Sequence, residues 1–339
     1  MSLRLIQLKN DDTRRVAVVE EPKLRLLANV SSIYELAHGA ILEAMALSET
    51  VSMRTTDELL DYASIYAGHS DWSILPAIDH PAEPARCLVS GTGLTHLGSA
   101  LDRQAMHQVA PTAEELESLT DSMKMFRLGL AAGKPSPREI GAAPEWFYRG
   151  TGAMLRAHDE PLEVPDYAED GGEEAEVAGI YINDRHGRQH RLGMATGNEF
   201  SDHCFEKQNY LNLAGSKLRT CSIGPELVVN LEFNSVAGEV AIERAGRILW
   251  SKQIRTGEAE MCHSLQNIEY HHFKFEAHRR PGDIHVHFFG ADSLSFGDGI
   301  RLVDKDVMQV RWDGFGRALR NPVHILRNAT ELFPVSSMK

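Results

Sequence analysis

Two glutamates separated by one residue, Glu174 and Glu176, run directly into an apolar, β-prone stretch, Val177 to Ile182. No other feature constrains the chain as much. Alternate residues of a strand face the same side, so a strand here sends both carboxylates into one space. Like charges that close destabilise each other unless a cation joins them or one keeps a proton. The surrounding run, Glu169-Asp-Gly-Gly-Glu-Glu-Ala-Glu176, also fits a solvated strand start, and both readings stand at this point. Asn198-Glu199-Phe200-Ser201 adds a third carboxylate at an expected loop-to-helix junction. Lys217 follows an expected helix, beside Gly215 and Ser216. Three carboxylates, with no Cys or His at ligand spacing, point to a hard cation, Mg2+ or Mn2+, rather than zinc.

The rest of the chain bounds where such a site can operate. Its 339 residues suffice for one large domain and a smaller one. A formal net charge of −13 without a basic run argues against nucleic acid as a partner. No apolar stretch approaches the roughly 20 residues of a membrane span. The N-terminus, Met1 to Asp12, lacks the apolar core of a signal peptide. Cys87, Cys204, Cys221 and Cys262 show no paired spacing and read as reduced thiols of a cytoplasmic protein.

Residues 3–28 alternate apolar and polar and predict a small sheet with a turn at Asn10-Asp11-Asp12. Residues 31–47 have helical spacing, with Ser31 or Ser32 as cap and Glu35 completing the box. Thr55-Thr56-Asp57 predicts a second helix, closed by Gly68. The Pro-rich connection at 79–84 marks a boundary between a small N-terminal α+β domain, 1–84, and a larger domain, 85–339. A buried strand at 85–90 leads into Gly91-Thr-Gly-Leu-Thr-His96. Thr112 to Glu115 predicts a capped helix to about Gly133, with Leu116, Leu119, Met123, Phe126 and Leu130 on a core face. Residues 229–256 read as strands with a hairpin turn at Ala245-Gly246-Arg247, followed by a short helix at 263–273. His285 and His287, two apart on an expected strand, are either a ligand pair or a polar strand face.

The acidic pair, the Asn-Glu-Phe-Ser segment and the later lysine resemble the fumarylacetoacetate hydrolase superfamily. In that family an acidic-x-Glu strand and an Asn-Asp-x-Ser segment hold a divalent metal, and a lysine follows in a Gly-Lys-Ser-type turn. Glu199 stands where the family mostly has Asp, and Ser216-Lys217 reverses the usual order. The C-terminal stretch, Gly297-Asp298-Gly299 and then Arg301 to Val323 with its Asp-Gly-Phe-Gly turn at 313–316, resembles the family's closing strands. The likeness covers roughly 85–325 and implies an α+β fold with a mixed β-roll catalytic domain. It implies metal ligands Glu174, Glu176 and Glu199, catalytic residues His96 and Lys217, and substrate contacts at Tyr148, Ser201, Glu206, Gly290 and Asp292. It also implies a homodimer and a partial lid around 96–110. The nearest branch handles 2-keto-3-deoxypentonates, which implies Mg2+- or Mn2+-dependent dehydration to 2-oxoglutarate semialdehyde through an enolate. C–C hydrolysis of an acylpyruvate or other 2,4-diketo acid, and non-catalytic binding of a 2-oxo acid, are the alternatives.

Overall fold

The computed structural model describes residues 2–101, 120–327 and 332–338. The N-terminal strands form as read: Leu3–Asn10, Thr13–Glu20 and Lys23–Leu27 pair antiparallel in sequence order. Asp11 takes a left-handed φ of 48° in the first turn. Helix Ile33–Leu42 starts where expected, with Ser32 Oγ accepting from the Glu35 amide while the Glu35 carboxylate reaches back to Ser31. It buries Ile33, Leu36, Ala37 and Ala40, one stripe at helical spacing.

The expected helix at 57–68 is mostly a strand. Thr55–Asp61 pairs with Lys23–Leu27, and only Tyr62–Tyr66 is helical, ending at Gly68 with φ 69°. The unpaired edge of the 23–27 strand explains the difference: Thr56 Oγ1 donates to Leu26 O at 2.8 Å, and Lys23 pairs with Asp61 at 2.9 Å.

The helix expected from Thr112 falls partly outside the described residues, as do Leu116, Leu119 and most of the expected lid. Within the described residues a helix spans Asp121–Ala132; it starts at its own cap, Thr120, rather than at Thr112, and buries Met123 and Phe126. Leu130, expected on the core face, is 63% exposed. The helix rides on its glycines instead: a Cβ at Gly129 would lie 2.6 Å from Cys262 Sγ.

The described residues form a thirteen-stranded sheet. Its main path runs Thr55–Asp61, Lys23–Leu27, Thr13–Glu20, Leu3–Asn10, Leu227–Val229, Gln189–Asn198, Ala175–Asn183, Ile284–Phe288, Cys87–Gly91 and Phe147–Thr151. Pairing is mostly antiparallel, with 284–288 and 87–91 parallel. A five-stranded sheet runs Arg247–Thr256, Val236–Arg244, Val307–Trp312, Leu319–Ile325 and Leu162–Val164. Ala245 and Gly246 make its hairpin turn with φ 51° and 76°, the left-handed pair a two-residue turn requires. Short helices connect the strands, so the chain is α+β as expected.

Two cores flank the acidic strand. On one face Ala178, Ile180, Val286 and Phe288 pack with Ile33 and Leu36. On the other, Val177, Met194 and Phe289 pack against Val240, Ile254 and Trp312 of the smaller sheet. The Trp312 indole also donates to Glu176 O at 2.9 Å, which fixes the start of the acidic strand. All four cysteines are unpaired. Among the described residues, no helix is long and apolar enough to cross a membrane.

Candidate active site

The 175–183 strand is buried along its whole length, so the carboxylates at its start are not a solvated edge. Its antiparallel partner, 189–198, ends where it begins: Ala175 lies opposite Asn198. That register brings Glu199 to Glu174. The Glu199 amide donates to Glu174 O at 2.9 Å, and Asn198 Oδ1 accepts from the Glu174 amide at 3.2 Å. Carboxylate oxygens of Glu174, Glu176 and Glu199 converge within 4.8 Å of one another, all buried. Gly91 makes room for them, since a Cβ there would stand 2.3 Å from Glu199 Oε1.

Two cations approach this cluster from different elements. Lys217 caps the short helix Leu213–Ser216 and is fully buried. Its ammonium donates to Glu174 Oε1 and, at 2.9 Å, to Ser201 Oγ. It stands 3.3 Å from Glu199 Oε2, 3.5 Å from Glu206 Oε1 and 5.1 Å from the centre of the Phe147 ring. Arg149 is also fully buried. It donates to Phe200 O at 2.6 Å and to Ser201 Oγ at 3.4 Å, and lies 3.8 Å from Glu199.

Arg149 is the functional candidate the sequence reading missed. Side chains alternate along Phe147–Thr151, so Phe147 and Arg149 turn inward while Tyr148, the residue singled out from sequence, points the other way and is 40% exposed. Burial alternation one residue on was the available signal.

Burial raises Glu176 well above the usual carboxylate range, and the charges of Glu199 and Glu174 add to it. Gly290 opposes the shift by donating its amide to Glu176 Oε2 at 2.7 Å. Burial pushes Glu199 up to about 7 against the pull of Lys217 and Arg149. Neither Glu199 oxygen has a hydrogen bond of good geometry. Converging, under-neutralised carboxylate oxygens suit a hard divalent cation, so the donor set fits Mg2+ or Mn2+.

Glu173, His203 and Ser295 complete the surroundings, and sequence spacing did not mark them. Glu173 accepts from the Ser295 amide and hydroxyl, each at 2.7 Å. With Gly290 on Glu176, this clamps the 290–295 turn to the acidic strand at both ends. Asp292, in the middle of that turn, accepts from the Arg255 amide at 3.1 Å. His203 lies 3.1 Å from Glu174 Oε1; burial lowers its pKa, but the Glu174 hydrogen bond and charge outweigh this and leave it raised. Glu206 accepts from Ser216 Oγ.

His96 is 2% exposed, and its hydrogen bonds run to Thr95 and Thr256 rather than to the carboxylates. Thr95 spends its hydroxyl proton on Phe289 O at 2.7 Å, so it accepts from His96 Nδ1 at 2.8 Å. That assignment leaves the lone pair on Nε2, 3.2 Å from Thr256 Oγ1. Burial lowers the His96 pKa to about 4, so the ring is neutral at pH 7. Gly290 links this loop to the acidic cluster: its φ is 98°, and a Cβ there would lie 2.0 Å from Thr95 Oγ1.

His285 and His287 are not a metal pair. His287 is held by Ser90 and Thr92 at 2.8 and 2.7 Å, and His285 by His272 at 2.9 Å. Among the described residues, only the three glutamates meet the geometry of a metal group.

No family model matches the chain. No curated protein matches it by sequence. Solved structures do. The 2-keto-3-deoxy-D-arabinonate dehydratase complexed with magnesium and 2,5-dioxopentanoate superposes with a TM-score of 0.68 at 19% identity, covering 96% of this chain and 100% of that one. The 5-carboxymethyl-2-hydroxymuconate delta-isomerase from Mycobacterium smegmatis superposes with a TM-score of 0.56 at 16% identity, over 96% and 100%. The 2-hydroxyhepta-2,4-diene-1,7-dioate isomerase from Mycobacterium marinum gives 0.57 at 15%, over 96% and 99%. The chain thus has the fold of 2-keto-3-deoxy-D-arabinonate dehydratase, the fold that the resemblance to the fumarylacetoacetate hydrolase superfamily implies.

Proposed function

We propose that the protein is a metal-dependent dehydratase of a 2-keto-3-deoxy sugar acid, a 2-keto-3-deoxypentonate such as the arabinonate or xylonate, yielding 2-oxoglutarate semialdehyde. One observation carries the reading: three buried carboxylates converge beside a buried lysine. The fold they sit in is shared with a dehydratase whose solved complex holds magnesium and 2,5-dioxopentanoate.

Glu174, Glu176 and Glu199 would hold Mg2+ or Mn2+. When bound, the cation would supply Lewis acidity toward the carboxylate and keto oxygens of a 2-oxo acid and so acidify C3. Lys217, an ammonium among carboxylates, offers a positive charge to the substrate carboxylate or to the developing enolate. Ser201, anchored on Glu199 O at 2.7 Å, and Arg149 keep the Glu199 segment in place. His96 is neutral with its acceptor lone pair on Nε2, suited to take the C3 proton and return it to the departing C4 hydroxyl. That step removes one water. A proton then moves from C5 to C3, and the resulting enol becomes the aldehyde.

The test incubates the protein and Mg2+ with racemic 2-keto-3-deoxypentonate and, separately, with an acylpyruvate, and reads products by mass spectrometry. Loss of one water from the sugar acid, abolished by EDTA, is the expected result. Pyruvate released from the acylpyruvate alone would overturn the dehydratase reading in favour of C–C hydrolysis.

A further inference from the structure

Lys217 and a divalent cation would draw on the same carboxylates. The Lys217 ammonium is within ion-pair reach of three carboxylates: Glu174, Glu199 and Glu206. Glu174 and Glu199 belong to the converging metal group, and Glu206 does not. Two positive charges cannot share Glu174 and Glu199 without strong repulsion. A cation entering the cluster would therefore push the ammonium toward its third carboxylate. Glu206 is already 3.5 Å from Nζ, and the four-carbon lysine stem is flexible enough to close that gap.

Glu206 is also built to receive it. It lies in helix His203–Gln208, 4% exposed, and its Oε1 accepts a 2.5 Å hydrogen bond from Ser216 Oγ. Ser216 directly precedes Lys217, so its hydrogen bond to Glu206 fixes the carboxylate to the turn that carries the lysine. A buried carboxylate held there has its charge aimed at the lysine and outside the cation group.

We propose that Glu206 is a positioning residue that takes over the Lys217 ammonium when a divalent cation occupies Glu174, Glu176 and Glu199, and so sets how tightly that cation binds. The inference rests on the reading of the three glutamates as a cation site. It assigns Glu206 a task other than the substrate contact implied by resemblance.

The experiment measures Mn2+ binding by calorimetry, without substrate, for the full chain and for Glu206→Gln, Lys217→Met and the double variant. Gln keeps an oxygen for the Ser216 hydroxyl, and thermal midpoints check folding. Glu206→Gln should weaken Mn2+ by about tenfold, because the ammonium then stays on Glu174 and Glu199. Lys217→Met should bind Mn2+ more tightly than the unchanged protein. In the Lys217→Met background, Glu206→Gln should change affinity by less than about threefold. Equal weakening in both backgrounds would overturn the proposal, since Glu206 would then be only a nearby negative charge.

Glu206→Asp gives an answer that does not depend on the lysine variant folding. It keeps the charge but retracts it by one methylene, so affinity should fall with the holding role and stay near the original without it. If the unchanged protein binds no Mn2+, the cation site fails and this inference fails with it. Intact Mn2+ binding without the coupling would overturn the inference alone and leave the dehydratase reading standing.

Discussion

The same strands bury a cluster of carboxylates on one face and a cluster of imidazoles on the other. Glu176 shares its face with Ala178 and Ile180, whereas Gly179 and Tyr181 lie opposite His287 and His285 on the reverse side. Both clusters are polar and buried, yet they differ in whether they satisfy themselves. His272 and His285 hydrogen-bond in series, and His287 bonds to Ser90 and Thr92. The Trp146 indole can only donate, so it fixes His272 Nδ1 as acceptor, and His272 Nε2–H then donates to His285 Nδ1. Burial, with neighbouring imidazoles adding, pushes His285 and His287 down to about 3, so both are neutral. The carboxylates instead leave both Glu199 oxygens without a hydrogen bond of good geometry, with the Lys217 ammonium 3.3 Å from Oε2. A buried polar cluster that closes its own hydrogen bonds serves packing. One with converging, under-neutralised charge is shaped for a ligand.

That contrast can be broken in order of expected effect. Glu199→Gln or Glu176→Ala should abolish Mg2+ protection in a thermal-shift assay. Either change should also lower dehydration roughly a thousandfold, the loss of several kcal/mol of charge stabilisation. A variant that keeps its metal response would remove the cluster's special status. His96→Asn should lower kcat by about 10^2- to 10^4-fold. Mn2+ affinity should stay unchanged in that variant, because the His96 hydrogen bonds go to threonines.

Arg149→Met leaves Glu199 without one of its buried cations and should cost about 3–5 kcal/mol in urea unfolding. Tyr148→Phe, on the exposed side of the same strand, should stay within about 0.5 kcal/mol. Equal losses for the pair would mean that strand alternation does not separate their roles.

Acid should act on the imidazole side. His272, His285 and His287 have folded pKa values depressed below 6.5, so the unfolded chain binds more protons than the folded one as pH falls. Their contribution to stability is complete above pH 6.5 and is lost progressively as pH drops toward about 3. Each contributes at most about 1.4 kcal/mol per pH unit. Urea unfolding in EDTA at pH 7 and pH 5 measures the loss. His285→Asn should make the acid slope shallower, and an unchanged slope would show that these rings do not report acid.

Much of the local structure was readable before any fold was known. The three N-terminal strands, the Ser32 cap and the Ala245-Gly246 turn rest on short-range signals: period-two patterning, a hydroxyl acceptor and paired left-handed residues. Residues 55–61 misled because Asp57 to Tyr62 has helical spacing, while the free edge that recruits it belongs to a strand about thirty residues earlier. Tyr148 and Arg149 show the same limit at the site. The motif located the strand, but which of two neighbours faces inward depended on how 147–151 lies against 87–91, where the register shifts between Val89 and Ser90.

Sequence by itself determined the chemical inventory: two alternating carboxylates on a strand, a third after Asn198, a lysine at the end of a short helix, and a net charge of −13. Only the tertiary structure decided which of these meet. Antiparallel pairing of 175–183 with 189–198 carries Glu199 to Glu174, and Gly91 leaves the space they share. The physical reason is that a charge is defined by its residue, but its cost and use are set by neighbours distant in sequence. Glu199 is an ordinary carboxylate in the unfolded chain and becomes a candidate metal ligand only when burial, Glu174 and Lys217 converge on it.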